Sequence, residues 1–278
     1  MSLDVRITPF RDGVASRALE GVEAAEVYLE PRPMTCKVSA AGIHRAPDLG
    51  SEQMDQLLLG EVFEVIEEEA GGFVWGQARR DGYVGFVLSG ALGRPGGPPT
   101  HRISALRTYA FAEPSIKSRA AGPYSLNGLV TVEAEDGRLM KAAGAGWIPQ
   151  EHLAPIGVFE EDWAAVAERF LGAPYLWGGR ESLGLDCSGL VQQALFACGR
   201  ACPRDADQQA ELGVGIDRGD FGRGDLVCWK GHIGVGLDAE RIVHANGFHM
   251  SVAIEPLETA IARIDAAGVG QPTAFRRP

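Results

Sequence analysis

The residues of this sequence whose types could do chemistry lie in its last third. Cys187 stands between an acid and a serine in "GLDCSGLVQQALFACG", and His232 and His244 follow in "KGHIGVGLDAERIVHANG". A cysteine attacks only as its thiolate, so it needs either a base or surroundings that lower its pKa from ~8.5. Two imidazoles can supply that base together with the group that orients it, or two of the ligands of a zinc ion.

These residues have to be positioned by a helix and a hairpin. Asp186 precedes a helical stripe of Leu190, Val191, Ala194, Leu195 and Cys198, closed by Gly199 at a C′ position. Cys187 then falls in the first turn, where unpaired backbone N–H groups favour an anion, which predicts a depressed thiol pKa. Downstream, alternation about Asp238 predicts a hairpin in which residue 233 pairs with 243 and 232 with 244. His232 and His244 would be direct cross-strand neighbours, with Cβ atoms ~4.5–5.5 Å apart. Ile233 and Val243 would meet on the core face, while Gly234 and Gly236 would leave the histidine face open. With Cys187 or Asp186 as third ligand, the pair could hold zinc. With Cys187 as nucleophile, one histidine would be its base and the other that base's orienter. Spacing leaves both open, and the helix start favours the thiol. Cys198 and Cys228 are read as packing residues and Cys202 is ambiguous.

Upstream, Trp163, Val166, Ala167 and Phe170 recur at helical spacing until Gly172 and Pro174 end the run. Before them the texture is short alternating strands broken by Gly and Asp. "GRPGGPPT" (93 to 100) reads as an inter-domain linker. The segments on either side, 44 to 92 and 111 to 153, look like distant copies of each other. Each runs from a proline through "EVFEVIEEE" or "LVTVEAED" to "GYVGFVLSGAL" or "GWIPQEHL". At roughly 50 residues each they suit small antiparallel barrels and resemble bacterial SH3-like domains.

The chain has 278 residues, 45% of them hydrophobic, enough for two or three domains. Its formal charge of −11 and lack of Lys/Arg runs argue against nucleic acid or anionic lipid as partners. The start lacks the pattern of a signal peptide, and no segment reaches the length of a membrane span. Five cysteines without framework spacing fit a reducing compartment. A cytoplasmic monomer is expected.

"PYLWGG", "DCSGLVQ", "PRDADQQ", "RGDLVCW", "GHIGVGL" and "RIVHANG", in this order, resemble the NlpC family of bacterial cell-wall cysteine peptidases from Phe159 to about Pro256. The SH3-like pair in front is similar to the arrangement in the γ-D-glutamyl-L-diamino-acid endopeptidases of that family. The resemblance implies two SH3-like β-barrels followed by a papain-like α+β cysteine peptidase domain. The expected boundaries are 1–33 for an N-terminal extension, 34–98 and 99–157 for the barrels, and 158–278 for the catalytic domain. It further implies Cys187 as nucleophile, His232 as base and His244 as third polar residue, with no cofactor and no metal. Tyr175 would assist the oxyanion or touch substrate. Asp186, Ser188 and Asp205, with Glu52 and Tyr83 from the first barrel, would receive the free N-terminal amine of an L-Ala-γ-D-Glu-diamino-acid murein peptide, consistent with intracellular recycling. Rival readings are a thiol amidase or acyltransferase with the same trio, a binding protein with an idle core, and a zinc hydrolase.

Overall fold

The computed structural model describes residues 3–278, so residues 1 and 2 of the expected N-terminal extension lie outside the described residues. The chain divides into two compact units, Met1–Ile156 and Gly157–Pro278.

The first unit is all β. Its larger sheet runs in the order Leu92–Gly93, Arg32–Cys36, Val62–Glu68, Phe73–Ala78, Val84–Leu88, Ala40–His44, Gln53–Leu58, with every neighbouring pair antiparallel. Alternation along these strands turns Ile43, Leu57, Phe63, Val65, Val74 and Val87 into one core. A second set of strands builds a five-stranded and a three-stranded sheet around Ile103, Ala110, Val130 and Ile148. Leu59 belongs to this second core. The two sets also meet backbone to backbone: the Leu129 N–H donates to the Leu59 carbonyl (2.7 Å), and a side chain at Gly60 would stand 2.1 Å from the Leu129 carbonyl oxygen. The 93–100 stretch thus connects β regions that share packing.

The N-terminal segment is β too, with strands Phe10–Arg11, Val14–Ser16 and Val27–Leu29. Val14 and Leu29 lie on a cluster of Ile66, Phe73, Trp75, Val84 and Phe86 on the larger sheet. The Arg11 guanidinium sits 5.0 Å from the Trp75 ring centroid and 4.9 Å from that of Phe86, and is held by Glu67 (2.9 Å) and Glu69.

The second unit is α+β. Helix α1 (Trp163–Glu168) starts at Asp162, whose carboxylate accepts the Ala165 N–H (3.1 Å). Helix α2 (Cys187–Ala197) is buried along its whole length; the sequence stripe marks only one side of a helix that is covered on every side. Its end matches the glycine signal: Gly199 has φ 71°, and the Arg200 N–H returns to the Leu195 carbonyl. Helices α3 (Ala206–Gln209) and α4 (Leu257–Ala266) complete the helical part. A six-stranded sheet runs in the order Val214–Gly215, Ala274–Arg277, Leu226–Trp229, His232–Gly236, Arg241–Asn246, Ser251–Pro256. Among the described residues no helix is long and apolar enough to cross a membrane.

The hairpin register differs from the expected one. Val235 pairs with Val243 and Gly236 with Ile242, so Val235 rather than Ile233 opposes Val243. The turn is three residues wide because the Asp238 carboxylate accepts the N–H groups of Glu240 (2.9 Å) and Arg241 (2.8 Å). A slip of two keeps each side chain on its face. That face is also closed: a side chain at Gly236 would meet the Gly222 carbonyl oxygen at 2.3 Å, and one at Gly234 would meet Ile242 Cδ1 at 3.2 Å. The two glycines serve close packing, not open space.

Candidate active site

Cys187 opens α2 and is buried. The backbone N–H groups of Ile233 and Ser188 point to its sulfur and favour a thiolate, but burial and then the Asp186 charge outweigh them and push the thiol up to about 12. The depressed pKa expected from a helix start is therefore not what the fold gives. The resting group is a neutral thiol that needs a base.

The strand His232–Gly236 carries an imidazole at its first residue, next to Ile233, whose N–H reaches Cys187. His232 Nε2 is 2.8 Å from His244 Nδ1. Because the register places Gly234, not His232, opposite His244, the two imidazoles meet diagonally across the strands. Gly234 packs closely beside this pair: a side chain there would lie 3.2 Å from Ile242 Cδ1, 3.4 Å from Val227 Cγ1 and 3.6 Å from His244 Cβ. On the other side His244 pairs with Ala253, and Glu255, two residues further on, reaches back along the same diagonal. Glu255 Oε1 is 2.7 Å from His244 Nε2 and also takes a hydrogen bond from Arg263 of α4. The Trp229 ring packs 5.6 Å from His232, centroid to centroid. Burial foremost, and then the neighbouring His244, lowers the His232 pKa to about 3; burial also lowers that of His244. The hydrogen bonds from His244 and Arg263 overcome burial and bring Glu255 down to about 2. At neutral pH the row is thus neutral imidazole, neutral imidazole, carboxylate, guanidinium.

Asp186 and Ser188 are buried beside Cys187, but their polar atoms are committed within the protein. Asp186 Oδ1 accepts from the Gly189 N–H (2.8 Å), Ser188 Oγ (3.2 Å) and Arg204 Nη1 (3.0 Å), and Oδ2 from the Gly178 N–H (2.9 Å) and Arg204 Nη2 (2.7 Å). Ser188 Oγ also accepts from Arg204 Nη1 (2.8 Å). The buried Arg204 is thus bonded to both Asp186 and Ser188. Asp205 precedes α3, its own N–H donating to Gln208 Oε1 (3.2 Å). Tyr175 is half-buried; burial, followed by the charges of Cys187 and Asp186, raises its phenol well above the ordinary value, so the fold brings it near Cys187. Glu52 and Tyr83 belong to the first unit. Glu52 pairs with Arg45 (2.7 Å), and Tyr83 is part of the barrel core.

A zinc ion held by His232, His244 and Cys187 or Asp186 does not fit this arrangement. The facing nitrogens of the histidines bond to each other, and Asp186 is spent on Arg204. His244, His249 and Glu255 also present ligand atoms within 4.8 Å of one another, but Arg263 sits on the Glu255 oxygen that such an ion would need.

Arg204, Glu255 and Arg263 were not picked out by sequence reasoning. Arg204 had a signal, since it adjoins Asp205 in "PRDADQQ"; a basic residue next to a block of buried polar positions calls for an acid partner. Glu255 could have been found by continuing the alternation of His232 and His244 onto the next strand.

Residues 172–269 match the NlpC/P60 family, and residues 43–92 match the bacterial dipeptidyl-peptidase SH3 domain. Over 129 residues the chain is 33% identical to the γ-D-glutamyl-L-lysine dipeptidyl-peptidase of Bacillus subtilis, a match covering 42% of this chain and 44% of that protein. The chain therefore spans less than half the length of this relative. Dipeptidyl-peptidase 6 of Lysinibacillus sphaericus is 26% identical over 231 residues, covering 74% of this chain and 84% of its own. An NlpC/P60 family protein from Bacillus cereus shares the fold with TM-score 0.76 at 20% identity, over 88% of this chain and 99% of that one. The chain thus carries a papain-like NlpC/P60 domain over residues 172–269, behind a bacterial dipeptidyl-peptidase SH3 domain over residues 43–92.

Proposed function

We propose that this protein is a cysteine peptidase that hydrolyses the γ-D-glutamyl-L-diamino-acid bond of murein peptides carrying a free N-terminal L-Ala. The observation that carries the reading is the His232–His244 hydrogen bond on the strand whose next N–H reaches Cys187. In this mechanism the Cys187 thiol gives its proton to His232 as the sulfur attacks the γ-carbonyl carbon of D-Glu. The backbone N–H of Cys187 and the Tyr175 hydroxyl steady the oxyanion. The C–N bond then breaks, His232 returns the proton to the leaving amine, and water hydrolyses the thioester.

The names of the relatives, a γ-D-glutamyl-L-lysine dipeptidyl-peptidase and a dipeptidyl-peptidase 6, support release of a dipeptide. In this reading Asp205, with Asp186 and Ser188 beside Cys187, receives the amine. A free amine is absent from cross-linked stems, so the substrate is a released peptide; five free cysteines are in keeping with turnover in the cytoplasm, by a monomer without cofactor. The domains in this reading are the extension 1–33, barrels 34–98 and 99–157, and the catalytic domain 158–278. A second SH3-like barrel is supported by local structure. The strand Val84–Leu88, a 3-10 turn and the strand Leu92–Gly93 are echoed by Gly146–Pro149, a 3-10 turn and Leu153–Pro155.

The test is incubation with an L-Ala-γ-D-Glu-diamino-acid tripeptide and its N-acetylated form, read by mass spectrometry. Only the free peptide should be cut, and Cys187→Ala should abolish its turnover. Equal cleavage of both forms would sink the amine requirement; a fully active C187A enzyme would sink the thiol mechanism.

A further inference from the structure

We infer that Glu255 is a positioning residue that fixes, through His244, which nitrogen of His232 is the base; the inference rests on the peptidase reading above and deepens it. An ionised carboxylate can only accept hydrogen bonds. The Glu255 oxygen 2.7 Å from His244 Nε2 therefore requires that this nitrogen carry the hydrogen. A neutral imidazole has one N–H, so His244 Nδ1 is left as an acceptor. The group facing it at 2.8 Å, His232 Nε2, must then be the donor. His232 in turn keeps its lone pair on Nδ1. One carboxylate thus sets two tautomers in series and reserves Nδ1 of His232 for the thiol proton.

The surroundings hold Glu255 to this task. Arg263 of α4 bonds to the same carboxylate oxygen, and its guanidinium lies over the Phe248 ring, 4.6 Å from the centroid. The charged and titratable groups that bear on His244 are Glu255, which favours its protonated form, and Arg263 and His249, which oppose it, with His232 on the other ring nitrogen. Burial foremost, outweighing the pull of Glu255, keeps His244 neutral, as a tautomeric relay requires. When His232 takes the thiol proton, its Nε2–H points at a ring whose far side is anchored on a negative charge, which stabilises the imidazolium without moving a second proton.

Two measurements on the full chain test this. Nitrogen-15 NMR of the histidine rings reports tautomers whether or not the enzyme turns over. His232 and His244 of the unsubstituted protein should both carry hydrogen on Nε2. Glu255→Gln keeps the shape, but its carboxamide donates as well as accepts, so a second tautomer should appear on both rings. In tripeptide hydrolysis the same variant should lose kcat by about 10²- to 10⁴-fold, the range a general base contributes, with KM within about threefold. Glu255→Leu should do the same where it folds. Native tautomers and unchanged kcat in E255Q would overturn the inference. Cys187→Ala, run alongside, separates the two claims: activity in C187A removes the peptidase mechanism but leaves the tautomer result standing.

Discussion

Two buried carboxylates, Asp186 and Glu255, each bonded to an arginine, flank Cys187 and the histidine pair and do opposite things. Asp186 accepts five hydrogen bonds and ties together three separate pieces of chain: the loop at Gly178, the first turn of α2 and the segment carrying Arg204. Its charge opposes ionisation of Cys187. Glu255 turns one oxygen to an imidazole and one arginine, and favours charge on the ring it touches. Two buried acids near one thiol can thus act on their neighbours in opposite senses. What decides the role of each is whether its lone pairs are used up by the backbone or left to a titrating partner.

The contrast should show most in stability. Arg204→Met leaves Asp186 buried and uncompensated and should cost about 3–5 kcal/mol in urea unfolding. Arg263→Met should cost clearly less, because that side chain is 21% exposed against 1% for Arg204. Equal losses would erase the distinction. Acid comes next. His232 has a folded pKa near 3, below its unfolded value of ~6.5, so below pH 6.5 the unfolded state binds more protons and stability falls. His244 moves in the same direction. A loss on the order of 2 kcal/mol between pH 6.5 and 5 is expected, measured by urea titration at each pH. Below ~4.3 Glu255, at about 2 when folded, adds to it. A flat profile would mean that the imidazoles are not held neutral.

A smaller effect separates the two acids chemically. Asp186→Asn should lower the Cys187 pKa and speed alkylation by iodoacetamide at pH 9 by up to about tenfold, whereas Glu255→Gln should leave that rate unchanged. The smallest concerns the diagonal itself. Gly234→Ala would bring a methyl to 3.2 Å from Ile242 Cδ1 and 3.6 Å from His244 Cβ, at a cost of about 1 kcal/mol. It should lower kcat more than stability by disturbing the His232–His244 bond; an unchanged kcat would mean that the diagonal has slack.

The outline of the site was legible because it depends on periods of the chain. Alternation put His232 and His244 on one face, and this survived the register error because a slip of two preserves the face. The turn width was not legible from alternation, since it is set by where the Asp238 carboxylate finds its donors. The helix start of Cys187 was readable from Asp186 and the apolar run. Its pKa was not, because burial and the Asp186 charge depend on what packs around α2. Asp186 illustrates the same limit: its position beside Cys187 follows from sequence, while its partner Arg204 comes from a residue 18 positions away in the chain. In the first unit, "GRPGGPPT" marked a change of region. It could not show that Leu59 and Gly60 join the β regions on its two sides.

The placement of Arg11 between Trp75 and Phe86 bears on how this molecule can be dissected. A gene fragment beginning at residue 34 would look like a clean module by its strands, yet it would discard the Arg6 carbonyl that accepts the Val84 N–H (2.7 Å) and the Ile7 carbonyl that accepts from Gln77 (2.9 Å). It would also uncover Ile66, Phe73, Trp75 and Phe86 together, a greasy surface of the kind that precipitates on a column. The described residues from 3 to 30 are better regarded as a wrapper over this face of the barrel, and a fragment meant to be handled in a tube should carry them.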